Sequence, residues 1–349
     1  MRRHRVIRGR TIAALVLTVP VAALAFAANV SPASAQVERD PAQIVGPGEC
    51  TECHEDTGKI WQHTTHHATF REMPRKKKAI KMAREMGERR IKKASLCTDC
   101  HFTMQEQDDG DVEAIAGISC ESCHGAGKDY LEIHSNFSGK EEENETDEEE
   151  RIRWEKSEEA GMIRPKMMYT WAKNCLSCHV VPKEDLVNQG DHPAGSDFEL
   201  VAWSQGEVRH NVWYNEGEAN PRASKDKRRK MFIVGMAVEL ETGLRAVGEA
   251  TAKADYAVSM AKRVARGRKR FAKATELIGD VPEMKKISEI AQSAKLKLDN
   301  KAALTKKAER IGELTKRIAE NYDGSTFGAI DPALPGKDGL KGTPKPKME

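Results

Sequence analysis

The chain has 349 residues, of which 39% are hydrophobic, 32% charged and only 5% aromatic, and its formal net charge is +3. This length is sufficient for two domains, but so few aromatic side chains predict a thin apolar core that something other than side chains helps to fill. Residues 1–35 contain five arginines and no acidic residue, so the rest of the chain carries a charge of −2 and nothing favours nucleic acid binding.

The first 35 residues have the pattern of a secretory signal peptide. A basic segment containing Arg2 and Arg10 precedes an apolar stretch over 11–28, and Ala33-Ser34-Ala35 forms a cleavage site before Gln36. Cleavage there predicts an exported, periplasmic protein. The alternative is an uncleaved segment that associates with the membrane, because its apolar stretch approaches the length of a spanning helix.

Four CxxCH motifs use all eight cysteines of the chain. In such a motif the two cysteines attach a haem covalently, and the histidine binds its iron from one side as the proximal ligand. CxxC pairs also form zinc sites, but zinc does not require a histidine directly after every pair. The motifs therefore predict four covalently bound haems c on Cys50, Cys53, Cys97, Cys100, Cys120, Cys123, Cys175 and Cys178, with proximal ligands His54, His101, His124 and His179.

The haem region, residues 36–228, is predicted to be mainly helical with long loops, because haem takes the place of core side chains. Charge is segregated within it, with a basic run from Arg75 to Lys93 and an acidic run from Glu141 to Glu150. Such runs are usually solvated surface. The alternative is that one of them steers a charged redox partner towards the protein.

After the haem region, an apolar heptad stripe extends from Ile233 to Ala261. Pro282 is typical of the first turn of a new helix, and a second stripe extends from Ile287 to Ile318. This pattern predicts a long antiparallel helical hairpin over 229–323, which serves either as a packing brace or as an arm for docking or self-association. Residues 324–349 are rich in Gly, Pro and Lys and are predicted to form a flexible tail.

The sixth coordination position of each iron decides the function, because two histidine ligands leave no site for a substrate. Outside the signal segment and the motifs, six histidines are available: His63, His66, His67, His134, His192 and His210. They are numerous enough to serve all four haems. Their positions in the sequence do not assign them to particular irons.

The sequence around the third motif resembles the cytochrome c-554 family of tetrahaem electron carriers. The segment from Gly117 to Gly127, followed by His134, is similar to the third haem segment of that family. The first motif, followed by Trp61 and His66, and the order of the four motifs are also similar. The resemblance covers roughly residues 46–215 and leaves the predicted helical hairpin outside it.

The resemblance also implies a set of distal iron ligands. In that family three haems have two histidine ligands, and the second haem has an open face. For this chain it implies His54 with His210 on the first haem, His124 with His66 on the third, His179 with His134 on the fourth, and His101 alone on the second. The chain has three additional histidines that the family does not explain, namely His63, His67 and His192, and any of them closes the second haem if it reaches the iron.

The resemblance implies a mainly α multihaem cytochrome that transfers single electrons. Its implied partners are an enzyme similar to hydroxylamine oxidoreductase and a downstream cytochrome or quinone-linked acceptor. The alternative is an enzyme that reduces nitric oxide or a related nitrogen oxide at an open haem on His101. No side chain can be assigned to catalysis from the sequence, so we expect a carrier rather than an enzyme.

Overall fold

A computed structural model describes residues 39–342, so the predicted signal peptide lies outside the described residues. The fold is mainly helical, as predicted. Between residues 39 and 224 the chain forms eleven mostly short α-helices, α1 Pro47–Cys53, α2 Glu55–Trp61, α3 Thr65–Glu72, α4 Lys77–Glu85, α5 Ser95–His101, α6 Cys120–His124, α7 Leu131–Ser135, α8 Asp147–Glu159, α9 Met168–His179, α10 Glu184–Asn188 and α11 Leu200–Ser204. Four further α-helices follow within the described residues, α12 Lys225–Glu249, α13 Asp255–Ile278, α14 Pro282–Gln292 and α15 Lys301–Asn321.

Each CxxCH motif lies at the C-terminal end of a helix. The motif cysteines end α1, and the motif histidines end α5, α6 and α9. Residues three apart on a helix share one face, so the two cysteines of each motif point to the same side. Local helix formation therefore prepares each motif to hold one flat group.

A short hairpin separates the second motif from the third. Its strands are β1 Thr103–Glu106 and β2 Val112–Ala116, and they pair antiparallel. The buried hydroxyl of Thr103 donates to the carbonyl of Gly117 at 2.7 Å and lies 2.8 Å from the hydroxyl of Ser119. The hairpin thus returns the chain directly from α5 to α6.

The helices after residue 224 form two pairs rather than the single long hairpin that the heptad stripe predicts. The first predicted helix is interrupted over 250–254, and the second over 293–300. The first interruption has a tertiary cause, because the Glu184 carboxylate of α10 accepts hydrogen bonds from Thr251 N and Oγ1, both at 2.8 Å. The helix predicted to begin near Pro282 does begin there.

Helix α12 is at the centre of this four-helix bundle and is buried on nearly all sides between 231 and 248. It packs against α13 and α15 of the bundle and also against α9 and α11 of the haem region. Leu176 of α9, Leu200 of α11 and Leu240 of α12 belong to one hydrophobic core. The core is therefore continuous across residue 229, and the apolar stripe of α12 is covered by the chain itself.

The segment after α15, predicted to be flexible, folds back onto the protein as far as residue 342. A 3₁₀ helix over Ser325–Ala333 buries Phe327 and Ile330. Asp331 accepts from Arg229 and forms an ion pair with Lys225, each at 2.7 Å. Two apolar anchors and a charged contact thus order a segment whose composition predicted flexibility.

No helix within residues 39–342 is long and apolar enough to cross a lipid bilayer.

Candidate haem-binding sites

Each motif histidine faces a second histidine across a gap. The ring centroids are 6.4 Å apart for His54 and His134, 6.3 Å for His101 and His192, 6.2 Å for His124 and His210, and 6.3 Å for His179 and His66. Metal–nitrogen bonds of about 2 Å place two imidazoles on opposite sides of one metal ion roughly 6 Å apart between ring centroids. The four gaps therefore fit one iron each, and the sites are numbered here in the order of their motifs.

The ligand pairs implied by the family resemblance differ from the pairs in the structure, and we correct them. His134 faces the first motif histidine instead of the fourth, His66 the fourth instead of the third, and His210 the third instead of the first. Tertiary contacts that sequence order does not show set the real arrangement. For example, the carbonyl of His66 accepts from Ile118 N at 3.1 Å, which fixes α3 beside the start of α6.

The structure differs most from the family resemblance at the second site, where the resemblance implies a haem with an open face. His192, one of the three additional histidines that the family resemblance leaves unexplained, has its ring opposite His101. His63 is exposed, and the His67 ring packs edge-on against Trp61 at 4.6 Å. No spacing in the sequence marks His192 as the partner, because the loop that carries it is positioned by helices far along the chain.

Hydrogen bonds orient five of these eight rings. The Nδ1 atoms of His134, His192 and His210 lie 2.7–3.2 Å from backbone carbonyls of their own segments. His124 Nδ1 lies 3.0 Å from the Ile163 carbonyl, and His179 Nδ1 lies 2.8 Å from the Ser196 hydroxyl. A proton on Nδ1 leaves Nε2 as the atom that can bind a metal ion.

Burial keeps the motif histidines neutral. It lowers the pKa of His101, His124 and His179 to about 4, because desolvation disfavours the imidazolium form. Burial also lowers the pKa of His54, His66 and His210. Neutral imidazole is the form that binds iron, so these rings are prepared for ligation at physiological pH.

The cysteines show which sites are neighbours. Cys50 and Cys120 share a side-chain hydrogen bond, which places the first motif beside the third, and Cys100 and Cys178 share another, which places the second beside the fourth. Asn174, which directly precedes the fourth motif, donates to the carbonyl of Ser122 inside the third motif at 2.8 Å, so the sites follow one another in the order first, third, fourth, second.

Polar side chains fix these junctions. Asn174 of α9 donates to the carbonyl of Ser122 in α6 at 2.8 Å, and Arg39 donates to both residues at 2.6–2.7 Å. Lys183 donates to Asp99 of α5 at 2.6 Å, which ties the second motif to the segment after the fourth. The relative positions of the motifs therefore depend on specific hydrogen bonds as well as on packing.

Three of the four sites open into one shared cavity of about 600 Å³. It is lined mainly by apolar atoms and by six of the paired histidines, namely His66, His101, His124, His179, His192 and His210. The first pair lies outside this cavity, where the Trp213 ring is 4.4 Å from His54 and is 46% exposed. The neighbouring Tyr214 is 95% exposed, so the first site is at the surface of the molecule.

Comparison with known proteins supports a haem protein. Residues 49–125 match the family model described as Cytochrome c554 and c-prime, and this range includes the first three motifs. No curated protein and no solved structure matches the chain significantly. The match confirms the resemblance over that range and supports a c-type cytochrome that carries electrons on covalently bound haem. The match ends before the fourth motif, His192, His210 and the helical bundle.

Proposed function

We propose that the chain is an exported tetrahaem c-type cytochrome that passes single electrons between a redox enzyme and a downstream acceptor. The observation that carries this proposal is the set of four histidine pairs, each of which joins one motif histidine to one other histidine at 6.2–6.4 Å between ring centroids. Four such gaps, each beside a CxxC pair, fit the donor set that haem c requires.

In this proposal the eight motif cysteines hold the four porphyrins, and each iron takes one histidine from its motif and one from the facing segment. Bound haem supplies a one-electron couple, whose potential the protein adjusts through its ligands and surroundings. The chain itself contributes a rigid frame that keeps the imidazoles neutral and oriented. It also places the attachment sites side by side, which electron exchange among bound haems requires.

The proposed partners follow from the family resemblance and from the position of the first site. An enzyme similar to hydroxylamine oxidoreductase is the proposed donor, and a downstream cytochrome or a quinone-linked protein is the proposed acceptor. The first site, beside the exposed Trp213 and Tyr214, supports contact with another protein there. Export to the periplasm rests on the signal-peptide pattern, because haem is attached to CxxCH motifs outside the cytoplasm.

The proposal is tested by expressing the whole chain with the haem-attachment machinery and measuring the mass of the purified protein. We expect a mature chain that begins at Gln36 and carries four haems. A matched control replaces Cys50 and Cys53 by alanine and should carry one haem fewer. The oxidised protein should also accept four electrons from an inert one-electron reductant. Fewer than four haems in the unaltered protein, or zinc in place of iron, contradicts the proposal.

A further inference from the structure

The loop that carries His192 lies between α10 and α11. The backbone N–H of His192 donates to the carbonyl of Leu186 at 2.9 Å, and its Nδ1 lies 2.7 Å from the carbonyl of Pro193. The preceding residue, Asp191, has φ 54°, in the left-handed region that side-chain-bearing residues rarely adopt. Surrounding contacts must therefore hold this loop in its conformation.

One of these contacts comes from the helical bundle. Arg263 of α13, which is 8% exposed, donates from Nη2 to the carbonyl of Ser196 at 2.5 Å. Its Nη1 atom donates to Glu239 of α12 at 2.8 Å, so the guanidinium is fixed from the other side. The Ser196 hydroxyl in turn contacts His179 Nδ1 at 2.8 Å. Arg263 thus holds the segment that serves both the second and the fourth sites.

Close approach of the loop to its neighbours requires glycine at position 195. Gly195 has φ +130°, and a Cβ atom there would lie 2.6 Å from the His179 carbonyl oxygen and 3.1 Å from Arg263 Nη2. Its backbone also forms an isolated antiparallel bridge with Val180. The loop is therefore pressed between the end of α9 and the bundle.

The bundle also holds the helix that precedes the loop. The carboxylate of Glu184 in α10 accepts from Thr251, between α12 and α13, and Asn188 Oδ1 accepts from Tyr256 N at 2.9 Å. Both ends of the segment that carries His192 are thus bound to α12, α13 or their connection. This is the part of the chain that the matched family model does not reach.

We infer that the helical bundle positions His192 as the sixth ligand of the haem on His101, so that the second haem is closed. The inference rests on the proposed function, because it needs haem at the second motif. It gives the bundle a role in coordination, with Arg263 as a positioning residue. It also removes the open iron on which a nitrogen-oxide reductase depends.

The decisive measurement is the spin state of the four irons in the oxidised, unaltered holoprotein. Electron paramagnetic resonance and magnetic circular dichroism should report four low-spin haems, and the reduced protein should bind no carbon monoxide. One high-spin haem in four would overturn the inference and leave the proposed carrier function intact. Loss of the proposed function would appear differently, as a haem count below four.

Substitution of His192 then tests whether this residue is the sixth ligand. His192→Ala should convert one haem in four to the high-spin state and create one carbon monoxide site per chain. His63→Ala and His67→Ala are the matched controls and should change neither signal. If His192→Ala retains four low-spin haems, His192 is not the ligand.

Arg263 is tested by the same two signals. Arg263→Leu should give a mixture of low-spin and high-spin iron at the second site with the haem count unchanged at four. Arg263→Lys should restore most of the low-spin signal, because the ammonium group can donate to the same carbonyl. Arg266→Gln, an exposed change on the same helix, serves as the control. An unchanged spin state in Arg263→Leu would exclude the positioning role.

Discussion

Glu121 lies between the two cysteines of the third motif and is completely buried. Its carboxylate accepts three backbone hydrogen bonds, from Val45 at 2.9 Å, Gly46 at 2.8 Å and Gly127 at 2.7 Å. The residues between the cysteines of a CxxCH motif are not fixed by haem attachment. Here one of them, Glu121, joins the segment before the first motif to the segment directly after the third motif.

Replacing Glu121 by alanine should destabilise the holoprotein strongly. Each buried N–H left without an acceptor costs roughly 1–3 kcal/mol, so the loss of three acceptors should lower the free energy of unfolding by at least about 3 kcal/mol. Denaturant titration of the holoprotein measures this change. The control is Glu52→Ala, which removes an exposed carboxylate between the cysteines of the first motif. Equal stability of the two variants would contradict the role given to Glu121.

At the scale of single residues, sequence reasoning could assign the motif cysteines and histidines because their chemistry is contiguous in the chain. It could name His66, His134 and His210 as distal candidates but not their partners. Those partners come from separate helices, and contacts such as Ile118 N to the His66 carbonyl decide which rings meet. His192 could not be assigned from the sequence either, because its loop is held by Arg263, which lies in α13 far along the chain.

At the scale of elements, the sequence predicted helices correctly and their ends less well. The apolar stripe marks the buried face of α12, but its continuation into α13 is wrong, because the chain turns over 250–254. Val258 of the stripe is 39% exposed, and Tyr256, Met260 and Val264 are buried in α13 instead. Glu184 binds the backbone at the turn, and no heptad pattern carries that information. For the C-terminal segment the prediction erred in the opposite direction, since burial of Phe327 and Ile330 and the contacts of Asp331 order a stretch whose polar composition predicted flexibility.

Docking of the C-terminal segment should depend on the charge of Asp331. Hydrogen bonds from Arg229 and Lys225 hold the pKa of Asp331 below its ordinary range. A carboxylate whose pKa is lower in the folded state stabilises the fold above the unfolded value of about 3.9. That contribution is lost as the pH falls further, through the lowered pKa of the folded state, so docking is complete at neutral pH and acid releases the segment.

The substitution Asp331→Asn removes this charge at neutral pH. We expect severalfold faster proteolysis after Lys337 and Lys341, with cleavage of the unaltered protein approaching that rate only in acid. The exposed Asp338→Asn has the same change in charge and should leave the rate unchanged. Identical cleavage of the Asp331 variant and the unaltered protein would mean that other contacts hold the segment, such as burial of Phe327 and Ile330 and the backbone hydrogen bond from Lys341 N to the Ala202 carbonyl.

At the scale of the whole molecule, haem region and bundle are a single packing unit, because α12 fills the space between them. The change in composition near residue 229 predicted two separate domains. Composition does not show that α9, which carries the fourth motif, packs its apolar side chains against α12. This continuity explains why a segment outside the matched family range can control the second site. A change in the bundle is transmitted to haem ligation through α9, α10 and the His192 loop.

The acidic run of residues 141–150 contains carboxylates that form ion pairs within the protein and carboxylates that do not. Glu145 forms an ion pair with Arg153 at 2.5 Å, and Arg153 also donates to the carbonyl of His134 at 2.6 Å, which ties this part of the run to the first site. Glu148 and Glu149 pair with Arg151 and Lys140. Exposed carboxylates at 141–143 are different, because no ion pair is found for them within the described residues.

If the run steers a redox partner, the effect should therefore come from Glu141, Glu142 and Glu143. Changing all three to glutamine should slow reduction by a basic cytochrome c at low ionic strength about threefold or more, because long-range attraction raises the association rate. The difference should vanish near 0.5 M salt, where exposed charges are screened within a few ångströms. A triple glutamine variant of Glu276, Glu289 and Glu309, exposed on the bundle, changes the net charge equally and should have a smaller effect. Stopped-flow rates for both variants decide between local steering and net charge. Equal slowing would mean that the net charge of the protein, and not the position of the run, sets the association rate.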